Sequence, residues 1–312
     1  MEKRFNILKS KWFFALACFV LFYGLFIINA DLAITRFEKE LWNLGHVFGF
    51  FVIWLFLMNL FPFFIPSSLK RIGLVLLVTL VASSLIEIVQ HYIGRSAALQ
   101  DIGLDLVGAI LALTAIITLK KCFRGNVYAL IVFFFITIAV LIWPSAKIFI
   151  DEVYIARQFP VLSDFSTPYE LSRWSSDSAV FYIEERGDHH ILKVRFRKDI
   201  RYSVLALNTF GHAWDKYNEL VYSVNNPDSR SLDLYVRIHD RAHKYSHFAY
   251  EDRFRRVIKL KPGHSEISIK LLDIYNAPEG RSMDPTEIES IMLFTVNLEK
   301  DAELEITKVF LR

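Results

Sequence analysis

Five apolar stretches, each long enough to cross a bilayer, dominate the first half of this 312-residue sequence. The hydrocarbon core of a membrane is about 30 Å thick, and a helix needs about 20 mostly apolar residues to cross it. Backbone groups left without hydrogen bonds are costly in lipid, so such stretches are expected to be helical. The stretches lie at about residues 12–29, 43–64, 72–90, 101–119 and 127–143. Residues 1–148 are therefore predicted to form an α-helical membrane bundle with five transmembrane helices.

The basic residues between these stretches predict the orientation of the bundle, because cytoplasmic loops carry an excess of Lys and Arg. With a cytoplasmic N-terminus, the inner segments contain Lys3, Arg4, Lys9, Lys11, Lys70, Arg71, Lys120, Lys121 and Arg124. The outer loops then contain only Arg36, Lys39 and Arg95. No small-residue cleavage site follows the first stretch, which indicates an uncleaved anchor. We expect a cytoplasmic N-terminus and, after an odd number of spans, a C-terminal domain outside the cytoplasm.

Residues 149–312 have a different pattern, in which short segments alternate apolar and polar side chains. Examples are ILKVRFR (191–197), LVYSVN (220–225), LDLYVRIH (232–239), EISIKLLDI (266–274) and ELEITKVFL (303–311). Alternation with a period of two, rich in β-branched and aromatic residues, is typical of strands with one buried face. With no sustained helical period between them, these segments predict an all-β antiparallel sandwich.

Composition excludes several functional classes. The net charge is only +3 and the basic residues are scattered, so a nucleic-acid partner is not expected. Neither Cys18 nor Cys122 has an evident partner for a disulfide or a thiolate metal site. His239, His243 and His247 are spaced by four residues but fall on a strand end and a loop, so we predict no metal. The sequence contains no nucleotide-binding glycine loop, predicts no cofactor, and leaves the oligomeric state open.

A group of polar residues lies near the outer ends of three predicted spans. The group consists of His46, Glu87, Gln90, Arg95, Asp101 and Asp105. Spacings of three and four residues place Glu87 with Gln90, and Asp101 with Asp105, on shared helical faces. Ionisable groups at membrane depth are costly and usually face the interior of the bundle, where they find partners.

These residues predict one polar site at the membrane edge. In it, Glu87, Asp105 and His46 are the candidates for acid–base chemistry, and Arg95 is the counter-charge. Gln90, Arg95 and Asp101 are candidates for substrate binding. A simpler alternative is that Asp101 caps its helix and that Glu87 forms a structural ion pair with Arg95. Capping does not explain Asp105, which lies a full turn inside its helix.

The segments GHVFGF (45–50) and SLIEIVQHYIGRSAALQDIGLDLVGAILA (84–112) resemble the VanZ-like membrane family. In that family a His on one span is followed by E-x-x-Q, an Arg and D-x-x-x-N-x-x-G on the next two spans. The likeness covers about residues 12–120. The chain departs from the pattern at Asn43, where members often carry Lys, and at Asp105, where they often carry Asn, so its site is more acidic. The resemblance implies a protein of the bacterial plasma membrane and cell envelope, with membrane lipid as a partner.

The β-domain resembles the galactose-binding-like jelly-roll of carbohydrate-binding modules over about residues 165–312. The likeness is carried by RIHDRAHKYSHFAYEDRF (237–254) and PGHSEISI (262–269). It implies a glycan partner bound by aromatic and polar side chains. The candidates are Trp214, Tyr217, Tyr245 and His247, with Trp214 expected to be the best exposed because its neighbours are polar. The alternative for each aromatic residue is a place in the sandwich core.

Two functions of different classes follow from these patterns. The first is a cell-envelope membrane protein whose outer domain recognises envelope glycan or a lipid-linked sugar. The second is a membrane enzyme acting on a lipid-linked, phosphate-bearing glycan, with Glu87 or Asp105 as acid or base, His46 as proton carrier and Arg95 on a phosphate. A structural protein without a ligand is a third reading. The sequence does not decide whether the chain is an enzyme.

Overall fold

A computed structural model describes residues 36–92, 98–120, 127–187, 189–208, 210 and 213–312. The chain divides into two compact units, Met1–Lys147 and Ile148–Arg312. The helices are α1 (Arg36–Leu60), α2 (Leu69–Tyr92), α3 (Leu99–Lys120), α4 (Val127–Gln158) and the short α5 (Leu271–Tyr275). Within the described ranges, α1 to α4 are long and apolar enough to cross a membrane. The predicted first span, residues 12–29, lies outside the described residues.

Helices α1, α2 and α3 pack around a small apolar core. The largest buried side chains are those of Trp54 and Met58 on α1. Trp54 also donates its indole N–H to Thr79 Oγ1 on α2 at 2.8 Å, so its one polar group is satisfied inside the apolar core. The core thus fixes the faces that α1 and α2 present to α3.

Helix α4 is longer than the apolar stretch that predicts it. The hydropathy pattern places its end at about Trp143, whereas the helix continues to Gln158 and contains Pro144. Proline removes only one backbone donor, and helices can continue past it when other contacts hold the following turns. In this helix the following turns bury Asp151 and Ile155. Burial in these later turns is a tertiary effect that the apolar pattern does not show.

The second unit is an antiparallel β-sandwich. Its strands are β1 (Val161–Ser163), β2 (Trp174–Ser175), β3 (Val180–Arg186), β4 (His189–Phe196), β5 (Tyr202–Leu207), β6 (Glu219–Asn226), β7 (Leu232–Asp240), β8 (Phe254–Leu260), β9 (Gly263–Lys270), β10 (Ile288–Val296) and β11 (Ala302–Leu311). One sheet has the order β3-β4-β11-β6-β9, and β1 also pairs with β11; the other has the order β2-β5-β10-β7-β8. The predicted all-β sandwich is therefore confirmed at the level of two antiparallel sheets.

The sandwich core is built from alternate residues of facing strands. On β7, Leu234 and Val236 are fully buried in the core. The residues that alternate with them, Tyr235 and Arg237, point to the opposite face of the sheet, because side chains alternate along a strand. The five-stranded sheet thus has an inner face in the core and an outer face that the core does not use.

One predicted strand ends earlier than its pattern indicates. Alternation predicts a strand over residues 266–274, whereas β9 ends at Lys270 and Leu271–Tyr275 forms α5. Leu271 and Ile274 are three residues apart and both are buried in the core. The apolar pattern of this segment is compatible with a strand and with a helical turn. The helical turn is the conformation that buries both side chains.

Candidate functional site

Three helices of the first unit bring buried polar side chains together. His46 Nδ1 on α1 lies 3.0 Å from Asp105 Oδ1 on α3. Ser83 on α2 donates its hydroxyl to the other oxygen of the same carboxylate. All three side chains are buried. The helical spacing therefore predicted correctly that His46, Asp105 and the polar face of α2 meet; the chemical roles of these residues stay predictions.

Gly108 allows this meeting because it lets α1 and α3 approach closely. A Cβ atom at this position would overlap the carbonyl oxygen of Val47 and lie 3.1 Å from Phe50 Cβ. Small residues at helix crossings permit such backbone contact in membrane bundles. Since Val47 adjoins His46, and Asp105 lies one turn before Gly108, the close crossing positions the two partners of the hydrogen bond.

Glu87 and Asp101 complete the described part of this cluster. Glu87 is buried, and its Oε2 accepts the Ala98 backbone N–H at 2.8 Å. Its Oε1 is buried and has no hydrogen-bond partner among the described residues. Asp101 Oδ2 lies 3.7 Å from His46 Nε2. The imidazole therefore stands between two carboxylates.

Of the other two predicted site residues, Gln90 and Arg95, the structure describes only Gln90. Gln90 is buried on the same face of α2 as Glu87. Arg95 lies outside the described residues, so the predicted pair between Arg95 and Glu87 stays a prediction. Glu87 does accept a hydrogen bond from the backbone of Ala98, the residue directly before α3, as expected of a residue that fixes the start of this helix.

A histidine between two acids can hold a proton and exchange it with either side. With Nδ1 carrying the proton, His46 donates to Asp105 and presents its Nε2 lone pair toward Asp101. A proton added at Nε2 would face the Asp101 carboxylate at 3.7 Å. The arrangement is suited to acid–base chemistry or to a stable buried polar network, and both uses need the same contacts.

Trp214 is not the exposed aromatic residue that its polar neighbours predict. Its side chain is 0% exposed and belongs to the sandwich core. It packs on Phe210 with a ring-centre distance of 5.2 Å, and its backbone N–H donates to Pro285 O. The prediction of exposure is wrong because the polar residues beside Trp214 say nothing about where the indole itself points. Tyr217 also packs on the core and makes an edge contact with Phe159 at 5.3 Å.

Tyr245 lies in a short 3₁₀ helix, Arg241–Ser246, that follows β7, and His247 is the residue directly after this helix. Tyr245 is 76% exposed, and the Lys244 ammonium lies 5.1 Å from its ring centre. His247 is exposed and adopts a left-handed backbone conformation, with φ of 53°. Both side chains are available to a ligand.

The outer face of the five-stranded sheet carries three aromatic rings in one row, and we call them the aromatic stripe: Tyr202, Phe294 and Tyr235. Phe294 and Tyr235 stack at 5.2 Å with an angle of 23° between their planes. Tyr202 meets the edge of Phe294 at 6.4 Å and is 46% exposed. Strands β5, β10 and β7 are adjacent in this sheet, so the stripe runs across the strands.

Three arginines stand beside the stripe, and we call them the cationic patch: Arg237, Arg253 and Arg255. Arg237 follows Tyr235 on the same face of β7, and Arg255 is its cross-strand partner on β8. The guanidinium groups of Arg253 and Arg255 lie 4.8 Å and 4.3 Å from the ring centre of Tyr250. The stripe and the patch together form what we call the open face.

The alternation of LDLYVRIH (232–239) indicates part of this face. Its apolar positions predict a buried side, so Tyr235, Arg237 and His239 must share the other side. What the pattern lacks is the identity of the neighbouring strands. Tyr202 and Phe294 are brought beside Tyr235 by sheet pairing over long sequence distances. The sequence alone therefore indicated aromatic residues near loops and not this row on the sheet.

Arg237 of the cationic patch is hydrogen-bonded to a network of neighbouring side chains. Arg281 makes ion pairs with Asp240 at 2.7 Å and with Asp252 at 2.6 Å. The hydrogen bond from Arg281, with weaker help from Ser246 and His243, holds the pKa of the Asp252 carboxyl well below its usual range. Asp252 Oδ2 in turn lies 3.1 Å from His243 Nδ1, and His243 Nε2 lies 3.1 Å from Arg237 Nη2. Since Arg237 can only donate, His243 accepts at Nε2 and donates to Asp252 from Nδ1.

Comparisons with known proteins reach the β-sandwich only. No protein-family model matches the chain, so the resemblance to the VanZ-like family stays a prediction. No curated protein matches it. A family 11 carbohydrate-binding module from Clostridium thermocellum, solved with a β-1,3-1,4-mixed-linked tetrasaccharide, is 12% identical, with 48% of this chain and 93% of that chain covered and a TM-score of 0.39.

Two further solved structures are similar at the same level. A family 28 carbohydrate-binding module specific for non-crystalline cellulose is 11% identical, with 49% of this chain and 94% of that chain covered and a TM-score of 0.36. An exo-β-agarase is 16% identical, with 49% of this chain and 24% of that chain covered and a TM-score of 0.39. The structural neighbours of the β-sandwich thus include carbohydrate-binding modules.

Proposed function

We propose that this chain is an integral membrane protein of the cell envelope whose β-sandwich binds polysaccharide on its open face. The observation that carries the proposal is the aromatic stripe. Three neighbouring strands present Tyr202, Phe294 and Tyr235 in one row on the side of the sheet that the core does not use. Aromatic faces pack on the C–H faces of sugar rings, and partly exposed rings in a row suit an extended chain.

The surroundings of the stripe support the same use. A depression at one end is lined by Tyr235, Asp233, Lys259 and Val296, together with the loop at 297–301. Polar side chains around an aromatic platform give hydrogen bonds to hydroxyl groups and fix orientation. Tyr245 and His247, in and directly after the 3₁₀ helix that follows β7, are proposed to contribute further contacts. Trp214 and Tyr217 are not, because they pack in or on the core.

The membrane part of the proposal is supported by the four long apolar helices and by the distribution of basic residues. We infer that the N-terminus is cytoplasmic in the bacterial plasma membrane and that the β-sandwich lies outside the cytoplasm, where envelope glycan and lipid-linked sugars are found. Alkaline phosphatase fused after residue 160 is expected to be active, and the same reporter fused after residue 66 is expected to be inactive. The reverse pattern would refute this orientation.

Glycan binding is tested with the purified full chain in detergent micelles on an array of bacterial and plant polysaccharides, followed by calorimetry on the ligands found. Covering an aromatic side chain of this size is worth about 1.5–3 kcal/mol when burial is complete. Tyr202→Ala and Phe294→Ala are therefore expected to weaken binding about tenfold or more. Tyr182→Ala is the matched control, because Tyr182 is 50% exposed on β3 of the other sheet.

Two results would overturn the glycan proposal. One is a folded chain that binds no polysaccharide on the array. The other is binding that Tyr202→Ala and Tyr182→Ala weaken equally, because a stripe that contacts the ligand cannot behave like a remote tyrosine.

A second function, a membrane enzyme acting on a lipid-linked glycan, is supported by the contacts of His46. A histidine between Asp105 and Asp101, next to a Glu87 oxygen that lacks a partner among the described residues, is a suitable acid–base group. Glu87→Gln and Asp105→Asn keep the shape of each side chain and remove its charge. Both are expected to abolish complementation of a deletion strain at normal protein level, whereas the control Glu40→Gln is not. Full complementation by both variants would end the catalytic proposal.

A further inference from the structure

The three arginines of the cationic patch have no acidic partner in the part of the chain that the structure describes. Among the described residues, no carboxylate lies within ion-pair distance of Arg237, Arg253 or Arg255, although most other arginines of the sandwich have one. The Nε atoms of Arg237 and Arg253 are in addition buried, and neither has an acceptor among the residues that the structure describes. A buried guanidinium donor without a hydrogen bond costs free energy, so its persistence needs an explanation.

The nearby acids cannot supply that explanation. Asp240 and Asp252 are both engaged by Arg281 through two nitrogen atoms each. Asp252 reaches Arg237 only through the neutral ring of His243, which passes on a hydrogen bond and no negative charge. The network therefore orients the Arg237 guanidinium and leaves its charge uncompensated.

The electrostatics of the patch agree with this description. Burial, followed by repulsion from Arg253, lowers the pKa of Arg237 to about 10. Burial and the same two arginines lower the pKa of His239 to about 4, so this ring is neutral near pH 7. His239 is 6% exposed, and its Nδ1 has no hydrogen-bond partner among the described residues. Two like charges, those of Arg237 and Arg253, thus act on His239, and three buried nitrogens of these residues have no hydrogen-bond partner among the described residues.

We propose that the cationic patch binds an anionic group of an acidic polysaccharide, held by the guanidinium groups of Arg237 and Arg253. A carboxylate, sulfate or phosphate group would accept from the forked N–H donors in a charge-assisted way. The inference rests on the proposed glycan function and narrows its ligand class to charged glycans.

The position of the patch favours a glycan over a lipid headgroup. Arg237 is two residues from Tyr235 on the same face of one strand, a distance of about 7 Å along the chain direction. A polymer that lies on the aromatic stripe therefore places substituents over the patch. A lipid headgroup would use the patch alone and would leave the stripe without a role.

The test uses the full chain in detergent and four probes with one backbone: dextran, carboxymethyl dextran, dextran sulfate and phosphorylated dextran. Because the backbone is constant, differences in affinity report the charged group, and the three anions separate its chemical sources. We expect at least one charged dextran to bind about tenfold or more tightly than neutral dextran. Arg237→Gln and Arg253→Gln are each expected to remove about tenfold of that preference. Arg195→Gln on β4 is the matched control for the loss of one charge, because Arg195 is 60% exposed on the other sheet.

The possible binding results distinguish anion recognition from its alternatives. Equal binding of all four dextrans, or equal losses in Arg237→Gln and Arg195→Gln, would overturn the inference. Neutral polysaccharides that bind through Tyr202 and ignore the patch variants would also overturn it, and would leave the glycan proposal intact. Charged dextrans that need Arg237 and ignore Tyr202→Ala would support anion recognition and remove the stripe from the glycan proposal. Phosphatidylglycerol vesicles that bind through Arg237, with no charged dextran bound, would replace the glycan by a membrane surface.

The patch variants must also be folded for the test to be read. Thermal unfolding of each variant is compared with the unaltered chain. Arg237→Lys serves as a second variant, because it keeps the charge and loses the planar fork. Retained affinity for neutral ligands, with reduced affinity for charged ones, in both Arg237 variants would be the expected signature of lost anion recognition.

Discussion

Arg173 offers the sharpest test of how the β-sandwich unit is held together. Its guanidinium is fully buried and donates to Asp151 from Nη2 at 2.7 Å and from Nε at 3.0 Å. A third bond from Nη1 reaches the Leu162 carbonyl at 2.9 Å. Arg173→Met keeps most of the apolar volume and removes the cation that pairs with the buried Asp151 carboxylate and lies 3.6 Å from the buried Glu170 carboxylate.

The expected cost follows from the loss of that buried cation. Removing one partner of a fully buried ion pair destabilises a protein by about 3–5 kcal/mol. For a unit the size of Ile148–Arg312, each kcal/mol lowers the melting temperature by about 2–4 °C, which gives a decrease of about 6–20 °C. Most single domains are stable by about 5–15 kcal/mol, so a large part of the stability is at risk.

The assay is urea unfolding of the purified full chain in detergent, followed by hydrogen exchange of peptides from β4 and β11. This readout reports the sandwich separately from the helices. Arg195→Met removes an exposed pair with Glu303 and is expected to change stability little. The double variant Asp151→Asn with Arg173→Met should be more stable than Arg173→Met alone, because one of the two buried carboxylates beside the lost cation is then neutral. A change of less than about 1 kcal/mol in Arg173→Met would refute the reasoning, because breaking a buried ion pair by removing one partner costs more than that.

Three further predictions concern the helix crossing, the bundle core and the pH response. Gly108→Ala is expected to lower the melting temperature in detergent because its Cβ meets the α1 backbone, whereas Gly103→Ala, with open space around it, should leave it unchanged or raise it. Thr79→Val leaves the Trp54 indole N–H without its acceptor and should cost about 1–3 kcal/mol, with a shifted tryptophan emission as the second readout. The pKa of His239 is about 4 when folded and 6.5 when unfolded, so the unfolded chain binds the proton first and stability is lost as the pH falls from about 6.5 toward 4. Between pH 8 and pH 5 the unaltered chain should lose about 2 kcal/mol more than His239→Gln, measured by urea unfolding, and equal pH profiles would contradict the assignment.

The sequence predicted those features that a local period encodes. Spacings of three and four placed Asp105 on an inward face of its helix, and the bond to His46 follows from that placement. Alternation located β4, β6, β7 and β11, because a strand with one buried face must alternate. Gly108, a small residue one turn after Asp105, was also a local signal for a close helix crossing.

What the sequence did not reveal depends on contacts between distant segments. Trp214 is buried because other parts of the sandwich close over it, and its polar neighbours carry no trace of that closure. The aromatic stripe needs the pairing of β5, β10 and β7, which no single segment contains. That no described carboxylate pairs with Arg237 likewise follows from a long-range contact, because Arg281 engages both nearby acids.

The place of β11 has a consequence for how this protein is made. It is the last strand in the chain order of the sandwich, yet it lies in the middle of its sheet, between β6 on one side and β4 with β1 on the other. A nascent chain therefore cannot close the sandwich until residue 311 has emerged, and the earlier strands must wait in an incomplete state. A premature stop or a protease cut inside β11 would remove a central strand, so truncated products should be cleared by quality control and should not accumulate as shortened, functional protein.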